Sequence, residues 1–370
     1  MKKLILKYFL FLLTLSSGKL FAQDTDAPKV DTADAASAFI KTGNFKCDSA
    51  EIHLKKKDTK GANRFYSDAI KDYKKALKLN PNSYYANYVL GKAQTKTKDY
   101  KNAVASFDKA LTIDAENSDG FRERGIAEIG IDSFARAIKD FDKAIDKNYN
   151  DVQAYYQRAS LKERSKDPQP AIEDYTHAIE SDPTFKDGYL KRGKLFLNVK
   201  KDYVLALADF NKLIELDPDN NEAYLLRGKT NFNGGAFKNA DKDLSRFLDL
   251  EPDNIDALIT RGASRININN YSGAVRDFDA AIKQDPKNVI ALMNRGTAKG
   301  AMKNYTGALE DLDMAIKLKF DFSTAYINRA LVKYANHDKK GACKDLQQAD
   351  ALNNEKAAEL LDQYCKEENK

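Results

Sequence analysis

IDALITRGASRININNYSGAVRDFDAAIKQDPKN, residues 255–288, is followed directly by VIALMNRGTAKGAMKNYTGALEDLDMAIKLKFDF, residues 289–322. Both stretches have the same length and share one phase, so that Gly262 recurs as Gly296. A fixed period of about 34 residues is typical of repeat arrays, in which each unit buries its apolar face only against its neighbours. Periodicity, more than any single motif, therefore indicates the fold.

The same period runs through most of the chain. Alanine recurs at nine evenly spaced positions, with one inserted residue in the fifth repeat: Ala69, Ala103, Ala137, Ala171, Ala206, Ala240, Ala274, Ala308 and Ala342. A second column of small residues lies twelve or thirteen positions earlier: Gly91, Gly125, Ala159, Gly193, Gly228, Gly262, Gly296 and Ala330. A bulky residue lies four positions after each alanine, which places the two side chains on the same helical face. Each period therefore predicts two helices that approach closely where small residues meet.

These columns, in this order, resemble the tetratricopeptide repeat, a helix–turn–helix unit of about 34 residues. The resemblance covers residues 45–353 and implies an all-α fold, a right-handed superhelical solenoid of nine antiparallel helix pairs. Repeat 1 departs from the pattern because Lys57 occupies the position of the small residue. Residues 354–370 are predicted to form a capping helix and tail, which shield the last repeat from solvent.

Residues 1–22 are typical of a secretory signal peptide. Lys2 and Lys3 precede a largely apolar run from Leu4 to Leu15, and Ala22 is a small residue at the expected cleavage site. A membrane anchor is the alternative, but it needs about 20 apolar residues. We therefore expect an exported protein, periplasmic or associated with the outer membrane, or secreted. Residues 23–44, rich in Asp, Ala, Thr and Ser, are predicted to be a flexible acidic tether.

Two columns of opposite charge accompany the repeats. An arginine precedes each small residue of the first helix from repeat 3 onward, and an aspartate precedes the bulky residue of the second helix. In chain order the two columns hold Arg124 and Asp140, Arg158 and Asp174, Arg192 and Asp209, Arg227 and Asp243, Arg261 and Asp277, Arg295 and Asp311, and Arg329 and Asp345. Repeat 1 offers Lys56 and Asp72, and repeat 2 loses both charges together, with Leu90 and Ser106. Because the positive and the negative charge are lost together in repeat 2, we favour a structural ladder of ion pairs over an anion-binding stripe. The sequence leaves open whether the pairs form within or between repeats.

The three cysteines predict one disulfide. Cys343 lies in the last repeat, and Cys365 lies in the predicted capping helix that follows it. An exported chain meets an oxidising compartment, where neighbouring thiols pair. We therefore predict a Cys343–Cys365 bridge, which leaves Cys47 free or able to join two chains.

No motif predicts catalysis. The sequence has no His-Glu-x-x-His, no phosphate-binding glycine loop and no Cys-x-x-Cys, and its three histidines fall in different repeats. We therefore expect no catalytic residue, cofactor or metal site. Four of the 61 basic residues lie in the leader, which has no acid, so the remainder carries 57 basic against 55 acidic residues. This balance predicts no nucleic-acid binding, and no later segment is long and apolar enough to span a membrane.

The family resemblance also implies a binding groove lined by the first helix of each repeat. Carried onto this chain, the groove positions are Tyr85, Tyr88, Lys92, Arg122, Leu190, Lys194, Leu225, Lys229, Phe232, Ile259, Ile266, Ile290, Met293, Ile327, Leu331 and Tyr334. The set changes from aromatic and basic to nearly apolar along the chain. Neighbouring repeats, the cap or a homodimer partner cover these side chains in one interpretation. In the other, they form an exposed apolar stripe for a partner.

The resemblance thus implies a non-enzymatic protein–protein interaction scaffold, which binds a protein or peptide in its concave groove. The leader adds the expectation that this scaffold lies in the cell envelope. No Lys and Asn arrangement at these positions matches the carboxylate-gripping variant of the family, so capture of a chaperone tail is not expected. The alternative is an enzyme or small-ligand-binding protein built on a helical solenoid.

Overall fold

A computed structural model describes residues 32–365. The predicted leader (1–22), residues 23–31 of the predicted tether and the last five residues lie outside the described part of the chain. The described residues form nineteen α-helices and contain no strand. Among them, no helix has both the length and the apolar character that a membrane span requires.

The helices divide into two compact units that meet in sequence at Ser133 and Phe134. The helices of the first unit are α1 (Thr32–Lys55), α2 (Thr59–Leu79), α3 (Tyr84–Lys96), α4 (Tyr100–Ile113) and α5 (Ser118–Ile129). Those of the second are α6 (Phe134–Lys147), α7 (Val152–Lys162), α8 (Gln169–Ser181), α9 (Lys186–Leu195), α10 (Tyr203–Leu216), α11 (Asn221–Asn233), α12 (Phe237–Leu250), α13 (Ile255–Asn267), α14 (Tyr271–Gln284), α15 (Val289–Ala301), α16 (Tyr305–Leu318), α17 (Ser323–Ala335), α18 (Lys339–Ala351) and α19 (Glu355–Cys365).

Local sequence sets the ends of these helices. The side chain of Asn254 accepts a hydrogen bond from the Ala257 amide at the start of α13, and Asn288 does the same at the start of α15. After α13 and α15, the chain reverses through Asn269 and Lys303, whose φ angles are 62°. Left-handed residues of this kind end one helix and permit a tight return.

The alanine and glycine columns form the interior of each unit. Ala274 and Phe278 are fully buried within one cluster that also holds Leu244 and Ala291. A Cβ atom at Gly262 would lie 2.7 Å from the Phe278 ring, closer than real Cβ contacts. Glycine is therefore needed here because the second helix of the repeat approaches the backbone of the first.

Repeat 1 differs from its prediction. Helix α1 begins at Thr32, so the prediction of a flexible tether is wrong for residues 32–44. Helices α1 and α2 have 24 and 21 residues, against 13 and 14 in α13 and α14. Gly43 faces Tyr73 across this longer pair, as Gly262 faces Phe278. The pattern is thus preserved, and Lys57, with a φ angle of 60°, lies in the turn instead of a packing position.

Two other irregularities of the sequence alter the structure only at the positions where they occur. The residue inserted in repeat 5 lies in a π-helical turn, Phe196–Lys200, at the end of α9. Pro168 and Pro170 fall at the start of α8, where the missing amide hydrogens cost little.

Helix α19 covers the end of the second unit. Ala357 and Leu360 are buried against Leu346 of α18. The rings of Tyr334 and Tyr364 lie 4.5 Å apart, and a disulfide joins Cys343 to Cys365. Helix α19 therefore covers the apolar surface that the last repeat would otherwise leave open.

Candidate functional site

The arginine and aspartate columns form a buried ladder in the second unit. Arg158 donates from Nε and Nη2 to the two carboxylate oxygens of Asp174, at 2.9 and 2.7 Å. The same two-point contact recurs in five further repeats: Arg192 with Asp209, Arg227 with Asp243, Arg261 with Asp277, Arg295 with Asp311, and Arg329 with Asp345. All six aspartates are buried. Arg124 and Asp140 belong to different units, and their pairing stays a prediction.

The third nitrogen of each arginine reaches the preceding repeat. Nη1 of Arg295 donates to Asp279 at 2.7 Å, and Nη1 of Arg329 donates to Asp313 at 2.7 Å. The acceptor lies sixteen residues before the arginine in each of repeats 3 to 9: Asp108, Asp142, Thr176, Asn211, Ser245, Asp279 and Asp313. The ladder thus joins helices both within and between repeats. This acceptor column was visible in the sequence but was missed because its members are chemically mixed.

A second cation column was also missed. Three residues after the small residue, Lys162, Arg265, Lys299 and Lys333 each lie 2.8 Å from the buried aspartate of their repeat. In repeat 1 the equivalent cation is Lys46, which contacts Asp72 at 2.5 Å. Asp72 therefore pairs with Lys46 and not with Lys56, the lysine expected from the phase of the later repeats.

A guanidinium group is always charged in proteins, so every ladder arginine carries a positive charge. The contacts to Asp243 raise the pKa of Arg227, although burial acts in the opposite direction. Because the guanidinium groups are held between three helices, the ladder specifies how neighbouring repeats stack. The ladder therefore also fixes the positions of the first helices, whose side chains form the candidate binding surface.

A cleft of about 680 Å³ opens on the first-helix face of the first unit. Helices α1, α3 and α5 form its walls, and Tyr66 and Tyr73 of α2 line it as well. Two of the four groove residues predicted in this unit, Tyr85 and Lys92, line this cleft. Both are exposed.

The other two predicted residues of this unit are engaged in the protein. Tyr88 is partly buried, with its ring 6.1 Å from that of Phe107. Arg122 forms an ion pair with Asp119 at 2.7 Å.

Polar groups inside the cleft are connected to one another. The Tyr73 hydroxyl donates to Asn44 at 2.8 Å, and the amide of Asn44 donates to the Tyr85 hydroxyl at 3.1 Å. Tyr66 donates to Glu51 at 2.5 Å, and this bond lowers the pKa of the Glu51 carboxyl. Preformed polar groups beside an exposed aromatic ring are suited to orienting a bound chain.

Cys47 lies in the same cleft, 3.4 Å from the Tyr73 hydroxyl. Burial raises the pKa of the Cys47 thiol above its usual value. A protonated thiol is a poor nucleophile, and no histidine of the described chain lines the cleft. The arrangement is suited to binding more than to covalent chemistry.

The predicted groove residues of the second unit are more covered than expected. Ile290 and Leu331 are exposed, at 41% and 39%. Met293 and Ile327 are buried, which agrees with the interpretation that neighbouring parts of the chain cover these positions and not with an exposed stripe. They pack into separate clusters, Met293 beside Leu292 and Ile327 beside Ala330.

The remaining apolar positions are partly buried against neighbouring repeats or the cap: Leu190, Leu225, Phe232, Ile259, Ile266 and Tyr334. The physical reason is that successive first helices contact one another and cover each other's apolar residues. The continuous exposed apolar stripe is therefore absent in the described part of the second unit.

The basic positions of this face are paired with acids. Lys194 contacts Glu222 at 2.6 Å, and Lys229 forms an ion pair with Asp256. Each pair links the first helices of two successive repeats. Within residues 32–365, no group of three or more His, Cys, Asp or Glu side chains is placed to hold a metal ion.

Comparisons with known proteins agree with this architecture. Models described as tetratricopeptide repeat match residues 58–118, 152–185 and 259–321. No curated protein matches the chain. The C-terminal part of a repeat-containing protein from Cytophaga hutchinsonii is 21% identical, with a TM-score of 0.53, over 67% of this chain and 98% of the other.

Two other solved structures share shorter stretches. YrrB, described as a tetratricopeptide repeat protein with an unusual peptide-binding site, is 28% identical over 50% of this chain and 95% of its own, with a TM-score of 0.47. MamA is 27% identical over 45% of this chain and 96% of its own, with a TM-score of 0.40.

Proposed function

Because the chain is a tetratricopeptide repeat protein, we propose that it is a non-enzymatic scaffold that binds a protein or peptide segment. The observation that carries this proposal is the 680 Å³ cleft on the first-helix face of the first unit. Its exposed Tyr85 and Lys92 supply an aromatic contact and a charge, beside the fixed polar groups of α1 and α2. An exposed aromatic ring of this kind is typical of surfaces where proteins bind one another.

The proposed compartment is the cell envelope or the exterior, reached by removal of residues 1–22. The signal-peptide pattern of that stretch supports this proposal, as does the Cys343–Cys365 disulfide, because disulfides persist in oxidising compartments. N-terminal sequencing of protein recovered from the envelope fraction tests it. A chain that begins at Gln23 supports export, and a chain that retains residues 1–22 in the cytoplasm contradicts it.

Partner binding is tested by a double variant of the cleft, Tyr85→Ala with Lys92→Glu. Partners captured from the native envelope fraction are identified, purified and titrated against the wild-type and variant chains by calorimetry. We expect the variant to lose affinity by about tenfold or more, because hot-spot residues carry most of the binding energy.

The matched control is Tyr149→Ala with Lys287→Glu, which changes an exposed tyrosine and an exposed lysine outside the cleft. The control should bind like wild type, and all three chains should melt alike. Equal affinity of the cleft variant and the wild type would contradict this site.

A small-ligand carrier is the competing function, because the cleft volume falls within the range of about 300–1,000 Å³ typical of ligand pockets. Native mass spectrometry of protein purified from its own source distinguishes the two. A stoichiometric small molecule that is lost from the Tyr85→Ala variant would favour the carrier and contradict the scaffold.

A further inference from the structure

Repeat 2 is the one place in the described first unit where the ladder is interrupted at all three of its positions. Leu90 replaces the arginine, Ser106 replaces the aspartate of the rung, and Lys74 replaces the acceptor of the preceding repeat. A cleft of about 430 Å³ lies at this gap, between α2, α3 and α4. It is separate from the cleft on the first-helix face, because the two have no lining residue in common.

The rim of this cleft is cationic. Lys74 and Lys78 lie one turn apart on α2, and Lys109 lies on α4. All three are exposed, and none forms an ion pair with another residue of the described chain. No aspartate or glutamate among residues 32–365 lines the cleft. Like charges at i and i+4 repel each other, so a bound anion would relieve an unfavourable arrangement.

The interior of the cleft presents a hydrogen-bond donor. Gln94, only 3% exposed, occupies the position at which five other repeats place a cation: Lys46, Lys162, Arg265, Lys299 and Lys333. Its Oε1 accepts from Ser106 at 2.7 Å, which leaves the Nε2 amide group without an acceptor among the described residues. Because Gln94 lines the cleft, this amide group can donate to a ligand that enters it.

We propose that this ladder-gap cleft binds the carboxylates of an acidic protein segment. In the other repeats, the aspartate of the chain itself supplies the negative charge at this point. In repeat 2, both charges of the rung are missing, but three exposed lysines and an amide donor line the cleft with no acid beside them, so a partner carboxylate would meet cations that no internal acid neutralises. The cleft spans three helices, which favours a segment with several acidic side chains over a single small anion.

The experiment titrates a fluorescent hexaglutamate peptide into the purified chain, with inorganic phosphate as the second arm. Wild type should bind the peptide saturably and more weakly as salt rises. The variant Lys74→Gln, Lys78→Gln, Lys109→Gln should lose affinity by about tenfold or more. The control Lys101→Gln, Lys238→Gln, Lys283→Gln removes the same charge from exposed lysines elsewhere and should change affinity by less than about twofold.

A second variant fills the gap. Leu90→Arg with Ser106→Asp rebuilds the rung and should abolish peptide binding, while its melting temperature should equal or exceed that of wild type. Equal losses in both lysine variants, binding that survives the rebuilt rung, or phosphate binding that the peptide does not displace would each overturn the proposal. The proposed scaffold function is tested separately by Tyr85 and Lys92, which are outside this cleft.

Discussion

At the scale of single residues, the ladder arginines are the most constrained side chains. Arg227 contacts both carboxylate oxygens of Asp243 at 2.9 and 2.6 Å and also Asn211 at 2.9 Å. We predict that Arg227→Ala lowers the free energy of unfolding by about 3–5 kcal/mol, because it leaves the buried Asp243 carboxylate with only the Asn231 amide and no cation. Lys229→Ala removes a half-exposed ion pair and should cost about 0–1 kcal/mol. Chemical denaturation of both variants tests this, and equal small losses would show that the ladder contributes little.

A second prediction at this scale concerns Cys47. Burial raises the pKa of its thiol, so the thiolate fraction, and hence the rate of alkylation, should be low in the native chain. Iodoacetamide labelling followed by mass spectrometry should show slow modification of Cys47, and fast modification once denaturant is added. Native labelling as fast as that of the unfolded chain would mean that the thiol is open and unprotected.

At the scale of helices, side-chain caps mark the start of six first helices: α3, α5, α7, α11, α13 and α15. We predict that Asn254→Ala costs about 1 kcal/mol, because the amide of Ala257 loses its acceptor at the start of α13. Asn267→Ala, near the end of the same helix, is the control. Its exposed side chain only bonds the preceding turn, so alanine should be neutral or slightly stabilising there. Thermal melts compare the two, and equal effects would contradict a specific role for the cap.

At the scale of the whole molecule, the capping helix is held by a covalent bond as well as by packing. The Cys343–Cys365 loop should contribute about 3 kcal/mol, so reductant should lower the melting temperature of wild type. Cys365→Ser should melt low with or without reductant, and Cys47→Ser should behave like wild type. A free, alkylated Cys365 in a non-reduced digest would show that the bridge is not formed.

The sequence by itself determined the repeat, the helix pairs and the two charged columns of the ladder. These features follow from spacing, because residues on one face of a helix recur at intervals of three or four positions in the sequence. Arg261 and Asp277, for instance, could be assigned to one ladder because their charges repeat in phase with a small residue and a bulky one. That Arg261 contacts Asp277 of its own repeat was decided by the tertiary structure.

Only the tertiary structure decided the rest. The phase of the later repeats predicts Lys56 opposite Asp72, but the two longer helices of repeat 1 bring Lys46 there instead. Met293 and Ile327 occupy groove positions by spacing, yet they are buried. The physical reason is that periodicity records which face of a helix a residue occupies, whereas burial depends on how closely the neighbouring helices approach that face.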